Sequence, residues 1–376
     1  MTLSRRSFLR TTGLLVGGGL AGCGLVGGAE SGDRMKSTWR MPDEGEPHSR
    51  TWMAFATSSE IWGRRLLPRV QRDLALIAKT IAKHEPVSML VRQSDLNTAQ
   101  GLLAALPATA HKVDLIVSPL DDLWIRDTGC SFVVKQNEPH KRAGVNFNFN
   151  GWGRKQIFDQ DAKIAAFMAQ KARVELLTAS LVLEGGGIEV DGQGMALISE
   201  SCVLNENRNP GVSRADFEAK LSALLGLRKI VWIPGIKGKD ITDGHTDFYA
   251  RFAGPGLVLA GFDSDPDSYD HAVTQANLEA LGRATDLDGR PLEIVTLTAP
   301  LDTRDASENF AAGYIGFYLC NGAIICQEFG DQPADEAAKA TLKDVFPGRV
   351  IEQLNVDGIA AGGGSVHCCT QQEPAG

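Results

Sequence analysis

The chain has 376 residues, of which 43% are hydrophobic and 22% charged, a balance that excludes a disordered chain. Its 38 Lys and Arg against 46 Asp and Glu leave a net charge of −8, and no basic run gathers positive charge, so nucleic acid is not expected as a partner. No stretch reaches the roughly 18 apolar residues that a spanning helix needs.

The N-terminus reads as an address. Ser4-Arg5-Arg6-Ser7-Phe8-Leu9-Arg10 precedes a weakly apolar, Gly-rich run from Gly13 to Gly22. Twin arginines before such a run resemble a twin-arginine export signal. The run ends Leu20-Ala21-Gly22-Cys23, which resembles a lipobox whose Cys23 is lipidated. Residues 1–22 are expected to be the signal, 23–40 a Gly-rich polar linker and 41–376 the folded domain. Loss of the signal removes Arg5, Arg6 and Arg10 and no acid, making the mature chain more acidic. The expectation is an exported protein, periplasmic or held at a membrane surface by lipid without spanning it. The plain alternative is a flexible N-terminus with chance arginines.

Amphipathic spacing then predicts five helices. The first carries Val70, Leu74, Ile77 and Ile81; the second Ile164, Phe167 and Met168. The third, with Phe217, Leu221, Leu224 and Leu225, opens at Ser213 with Asp216 three residues on and closes at Gly226. The fourth carries Ala272, Val273, Ala276 and Leu281. The fifth, with Ala338, Leu342 and Val345, stops at Pro347-Gly348. A short aliphatic run follows each helix: Val87–Val91, Val174–Leu177, Ile230–Ile233, Leu292–Leu297 and Arg349–Leu354. Strand-like runs precede most of them: Ser131–Val134 and Gly144–Phe149, Gly194–Ile198, Gly256–Ala260 and Tyr314–Ile325. The unit is strand, strand, helix, strand with a period of roughly 60–70 residues, which points to a repeated, propeller-like α/β architecture. A plain α/β domain also alternates its elements.

After Cys23, six cysteines remain, scattered: Cys130, Cys202, Cys320, Cys326, Cys368 and Cys369. They form no disulfide scaffold, and none stands at zinc-ligand spacing from His or Cys, so no metal is expected.

Four motifs at the joints between units bear chemistry. Gly362-Gly363-Gly364-Ser365-Val366-His367-Cys368-Cys369 puts thiols beside a run that lets backbone approach a ligand. In Asp243-Gly244-His245-Thr246-Asp247, a strand at Thr246 would turn His245 and Asp247 to one face. Trp124-Ile125-Arg126-Asp127-Thr128-Gly129 sets an Asp beside an Arg, and Leu183-Glu184-Gly185-Gly186-Gly187 releases a carboxylate at a bend. Each has an ordinary structural reading: a glycine turn, a surface His, a buried Arg–Asp pair, a loop acid. One chemistry uses all four. Carboxylates grip a planar guanidinium, a thiolate attacks its carbon, and a His protonates the departing ammonia and then activates water.

At these residues the sequence resembles the agmatine deiminase and Porphyromonas-type peptidylarginine deiminase family. The matching stretches run in order from Met41 to Pro374: MPDEGEPHSRTW (41–52), WIRDTG (124–129), FNFNGWG (147–153), LEGGGIEVDGQG (183–194), CVLNENRNPG (202–211), DGHTD (243–247), GFYLCNGAIICQEFGD (316–331) and GGGSVHCCTQQEP (362–374). The resemblance implies a deiminase catalytic domain over 41–376 with the fold of a five-bladed α/β propeller, a pentein. It implies Cys368 as nucleophile, His245 as general acid and base, and Asp127 and Asp247 as holders of the guanidinium. Glu184 would support His245 and the far nitrogen, and Trp124 would line the channel. No cofactor is implied. The substrate would be a small guanidine, agmatine above all, or an arginine-containing peptide. The alternatives are citrulline formation on protein arginine and a non-catalytic guanidinium-binding exported protein. Three positions depart from the family pattern: Gly45 stands for Trp, Cys130 for Pro, and Gly316 for the Asn of a Tyr-x-Asn-Phe-Tyr motif. Cys369 is expected to pack in the core, with a vicinal disulfide to Cys368 as the sharper alternative.

Overall fold

The computed structural model describes residues 37–55, 58–307 and 309–376. The twin arginines and Cys23 lie outside the described residues, as does most of the expected linker. No helix among the described residues is long and apolar enough to cross a membrane.

The described chain is mixed α/β, with its strands in five separate sheets. One pattern recurs in each. Two strands pair antiparallel, a helix crosses over, and a third strand returns parallel to the second. Ser131–Lys135 pairs antiparallel with Glu138–Asn146, which pairs parallel with Glu175–Thr178 after the helix Ile164–Ala172. The same order builds Ile188–Val190, Met195–Ser199 and Lys229–Ile233 around the helix Arg214–Leu225. It recurs in Ala250–Gly254, Leu257–Phe262 and Glu293–Thr298 around Tyr269–Gly282. Tyr318–Cys320, Ala323–Gln327 and Val350–Leu354 follow, around Gln332–Val345.

The fifth sheet joins the two ends of the described chain. Gln371–Pro374 pairs antiparallel with His48–Phe55, which pairs parallel with Val87–Val91 after the long helix Ser59–Ile81. The Trp52 indole N–H donates to Glu373 at 2.8 Å, and Arg142 donates to the other Glu373 oxygen at 2.8 Å. The segment holding Cys368 is thereby tied to the start of the domain.

All five expected helices form. The third is capped as its sequence dictates: the Ser213 hydroxyl accepts from the Asp216 N–H, and Gly226 ends it in the left-handed region. Three expectations are corrected. The run Gly144–Phe149 is strand only to Asn146, where Asn148, Gly151 and Trp152 take positive φ and turn the chain. The run Tyr314–Ile325 divides at Gly322 into a hairpin whose first strand begins at Tyr318. A further helix, Leu96–Ala104, and a fourth strand, Val113–Val117, extend the fifth sheet. That helix buries only Ala99, so its sequence carries no strong apolar stripe.

Candidate active site

The structure brings the expected residues to one place, although Thr246 opens a short 3-10 turn over Thr246–Phe248 rather than a strand. The turn is fixed by the Thr246 hydroxyl, which donates to the Gly187 carbonyl at 2.8 Å and accepts from the Ser199 N–H at 2.9 Å. This one side chain ties the His245 and Asp247 turn to the glycine bend after Glu184. The bend itself requires Gly186. A Cβ there would stand 2.5 Å from His245 Nδ1, 2.9 Å from Asp247 Oδ2 and 3.1 Å from Asp127 Oδ1. The C-terminal glycines serve the other wall: a Cβ at Gly362 would meet the Trp62 ring at 2.2 Å, and one at Gly364 the Trp124 ring at 2.2 Å.

A cavity of about 760 Å³ opens onto this constellation, and Trp124, Asp127, His245 and Cys368 line it. Asp127 accepts from the Trp152 indole N–H at 2.9 Å and from the Gly186 N–H at 3.0 Å. Arg126 does not pair with it. Its guanidinium donates instead to Glu44 at 2.8 Å and to Gln372 at 2.8 Å, so the Arg–Asp pair of the structural reading is not made.

Asp247 is prepared by a chain of buried charges. His367 sits between two carboxylates, with Nδ1 2.6 Å from Asp247 Oδ2 and Nε2 2.9 Å from Glu44 Oε2. Arg251 and the Leu319 N–H each donate to the second Glu44 oxygen at 2.8 Å. The other Asp247 oxygen, Oδ1, is buried without a hydrogen-bond partner. It lies 4.0 Å from His245 Nδ1, and its sister oxygen lies 3.9 Å from the Cys368 sulfur. An unpaired buried carboxylate oxygen is costly unless a ligand donor fills it.

His245 Nε2 lies 3.4 Å from Glu184 Oε2 and Nδ1 lies 3.8 Å from Asp127. Glu184 is fully buried, and Arg208 Nε donates to both its oxygens at 2.9 and 3.0 Å. The Cys202 thiol stands 3.6 Å from the same carboxylate. The ligand atoms of Glu184, Cys202 and His245 lie within 4.8 Å of one another, close enough to hold a metal ion, a grouping that sequence spacing concealed. The Arg208 charge already satisfies Glu184 and opposes a divalent cation there. Glu184 and Cys202 are better suited to orienting the His245 imidazole.

Charge and burial set the protonation states. Burial alone would make His245 less basic, but Asp127, Cys202 and Glu184 outweigh it, and its pKa is raised well above the usual value. Burial raises Asp127, aided by the charges of Asp247 and Glu184 and offset only in part by His245 and Trp152. Burial opposes ionisation of Asp247 too, but the hydrogen bond and charge of His367 hold it below the usual range. Glu44, also penalised by burial, is held well below by Arg251, His367 and Arg126. The Cys368 thiol, buried beside Asp247 and Asp127, is pushed up to about 12. Empty, the site holds a thiol; a bound cation would favour the thiolate.

Cys369 is fully buried in the core around Trp62 and Trp124, and all six described cysteines are free. Cys130 is buried against Gly144 in the core, so this departure from the family pattern stays clear of the cavity. Glu44, His367, Arg208, Cys202 and Trp152 are site residues that the sequence reading passed over. Each stands in a quoted motif, but only the fold reveals its partner.

The profile of the Porphyromonas-type peptidyl-arginine deiminase family matches residues 40–374. A Streptomyces coelicolor protein provisionally named an agmatine deiminase is 38% identical over 351 residues, covering 90% of this chain and 99% of its own length. The agmatine deiminase of Stutzerimonas stutzeri is 35% identical over 360 residues, covering 89% and 95%. The solved agmatine deiminase of Enterococcus faecalis superposes with a TM-score of 0.81 at 30% identity, covering 90% of this chain and 96% of its own.

Proposed function

Because the chain belongs to the Porphyromonas-type peptidyl-arginine deiminase family, we propose that it hydrolyses a guanidinium to a ureido group and ammonia. Agmatine is the substrate best supported, giving N-carbamoylputrescine. The observation that carries this reading is the unpartnered, buried Asp247 Oδ1 beside Asp127, His245 and the Cys368 sulfur. Two carboxylates around one planar cation supply paired acceptors for its N–H groups.

In the proposed reaction the guanidinium settles on Asp127 and Asp247 and cancels the repulsion that keeps Cys368 protonated. The thiol releases its proton to solvent through the open cavity, and the sulfur bonds to the guanidinium carbon as the C=N π electrons move onto nitrogen. His245, holding a proton, delivers it to one nitrogen; the C–N bond breaks and ammonia leaves. The remaining thiouronium is attacked by water, whose proton returns to His245. The C–S bond then breaks as the remaining hydroxyl proton passes to the departing sulfur, releasing the neutral ureido product and restoring the thiol. Glu184, fixed by Arg208, keeps the imidazole aligned through both proton transfers.

The walls favour a substrate with a cationic tail. Asp240, Asp263, Asp265, Asp270 and Asp305 line the same cavity, with Lys239 as the basic residue there. That lining suits the far ammonium of agmatine and repels the carboxylate of free arginine. The cavity is at the roomier end of small-molecule sites, which span roughly 300–1,000 Å³. Arginine within a peptide is therefore the second reading. A product assay on agmatine, free arginine and a peptide with internal arginine decides between them. Equimolar ammonia and N-carbamoylputrescine, absent in Cys368→Ala, is expected. Binding of agmatine with no ammonia would instead mark a non-catalytic receptor.

The five strand–strand–helix–strand units are further proposed to be blades of an α/β propeller. The supporting observation is that the site residues come from joints between different units: Asp127, Glu184, His245 with Asp247, and Cys368. A crystal structure in which the five sheets fail to surround the cavity would refute it. Export with lipidation of Cys23 is also proposed, on the Arg5-Arg6 and Leu20–Cys23 patterns. Release of the protein from the membrane fraction by Cys23→Ala is the expected result. An unchanged distribution would dismiss the anchor.

A further inference from the structure

We propose that Ser365 is a further catalytic residue, its hydroxyl hydrogen-bonding the Cys368 sulfur, and that Gly316 supplies the space this hydroxyl occupies. The inference rests on the reading of Cys368 as nucleophile. Ser365 Oγ stands 3.3 Å from Cys368 Sγ in a buried setting, and among the described residues the hydroxyl has no other partner. A Cβ at Gly316 would lie 2.3 Å from both Cβ and Oγ of Ser365. The Gly316 carbonyl also accepts the His367 N–H at 3.0 Å, so the two segments are locked side by side. Gly316 is the position where the family motif has Asn. The Ser365 side chain occupies the place that any side chain at Gly316 would take.

The hydroxyl acts differently on the two states of the sulfur. Against the neutral thiol it makes a weak bond, since S–H is a poor donor and sulfur a poor acceptor. Against the thiolate it donates to a full charge, and charge-assisted hydrogen bonds are roughly twice as strong as neutral ones. The difference favours ionisation, in a site whose burial and two carboxylates oppose it. A donor worth about one pKa step multiplies the thiolate tenfold. It lowers intrinsic nucleophilicity by about threefold, because the Brønsted coefficient is about 0.4–0.5. The net gain is about threefold in rate.

The test is alkylation of Cys368 by iodoacetamide in the ligand-free protein, followed by mass of the modified peptide between pH 6 and 9, beside steady-state kinetics on agmatine. Ser365→Ala should slow alkylation about threefold across this range. It should lower kcat by a similar factor with KM unchanged, because the carboxylates, not Ser365, hold the guanidinium. Gly316→Ala should produce the same loss by displacing the serine, and the double variant should be no worse than either single one. Alkylation rates within 1.5-fold of the parent in Ser365→Ala would overturn the proposal and leave the serine a packing residue. If that variant fails to fold, Ser365→Gly gives the same two readouts. Alkylation needs no substrate, so a protein without agmatine turnover would refute the proposed function and still score the Ser365 contact.

Discussion

The two aspartates around the proposed guanidinium site are prepared in opposite ways. Asp127 rests on neutral donors, the Trp152 indole and the Gly186 amide, and its pKa is raised. Asp247 is backed by the imidazole of His367, itself held by Glu44 between Arg126 and Arg251, and its pKa is lowered. One carboxylate is ionised by the protein's own charges; the other gains most from an arriving cation. Two like charges close together would repel if neither had a partner. Tying only Asp247 by a hydrogen bond into the buried network of His367, Glu44 and two arginines leaves Asp127 with an attraction for substrate to complete.

The largest effect tests the premise that both aspartates serve a sulfur. Cys368→Ser should cut agmatine turnover by about 10⁴-fold or more, whereas Cys369→Ser should stay near the parent. If the second variant is the inactive one, the sulfur has been misassigned. Next, Asp247→Asn should cost about 10³-fold in kcat/KM, about 4 kcal/mol and within the range of about 3–5 kcal/mol for breaking a buried charge contact, and Asp127→Asn about 10²-fold, just below that range and mostly in KM. Equal losses would erase the contrast. Glu44→Gln reaches no substrate yet should lower kcat/KM about tenfold through His367, and destabilise the fold by about 3 kcal/mol, because two arginines lose a buried counter-charge. Denaturant midpoints and kinetics on the same preparation separate these two losses. Trp152→Phe removes one neutral donor from Asp127 and should cost about 1 kcal/mol, some fivefold in KM.

pH sharpens the same contrast. The pKa of His245 is raised in the fold, so the stability its proton confers is complete below about pH 6.5 and fades as pH climbs through the raised native value. Asp247 and Glu44 have lowered values, so their contribution is complete above roughly pH 4.5 and fades as pH falls through those values. Unfolding midpoints across pH should show both limbs, and His245→Asn should flatten only the alkaline one. A parent curve without an alkaline limb would contradict the charged state assigned to His245.

The residues proposed to react were legible in the sequence because each sits in a compact motif, and the four motifs together, though none alone, pointed to one chemistry. The helices were legible wherever a cap or an apolar stripe marked them, as at Ser213 and Gly226. What stayed hidden was support. Glu44 lies in an acidic loop that reads as solvated surface, yet its partner His367 is 323 positions away. Cys202 and Arg208 meet Glu184 only through the fold. Even Thr246, expected in a strand, reaches its role by bridging the glycine bend at Gly187 and the strand end at Ser199. Local pattern reports what a residue can do; which neighbour holds it in place is decided by contacts between distant segments.

The last strand, Gln371–Pro374, lies against one of the first, His48–Phe55. Ribosomes deliver a chain from its N-terminus, so the sulfur at 368 and the strand that anchors it emerge after the strands of the other four sheets. A growing polypeptide can lay down four sheets and still have no assembled reactive centre. A chain cut before Gly362 would keep the strands of four sheets whole and lack the sulfur on which the proposed reaction depends.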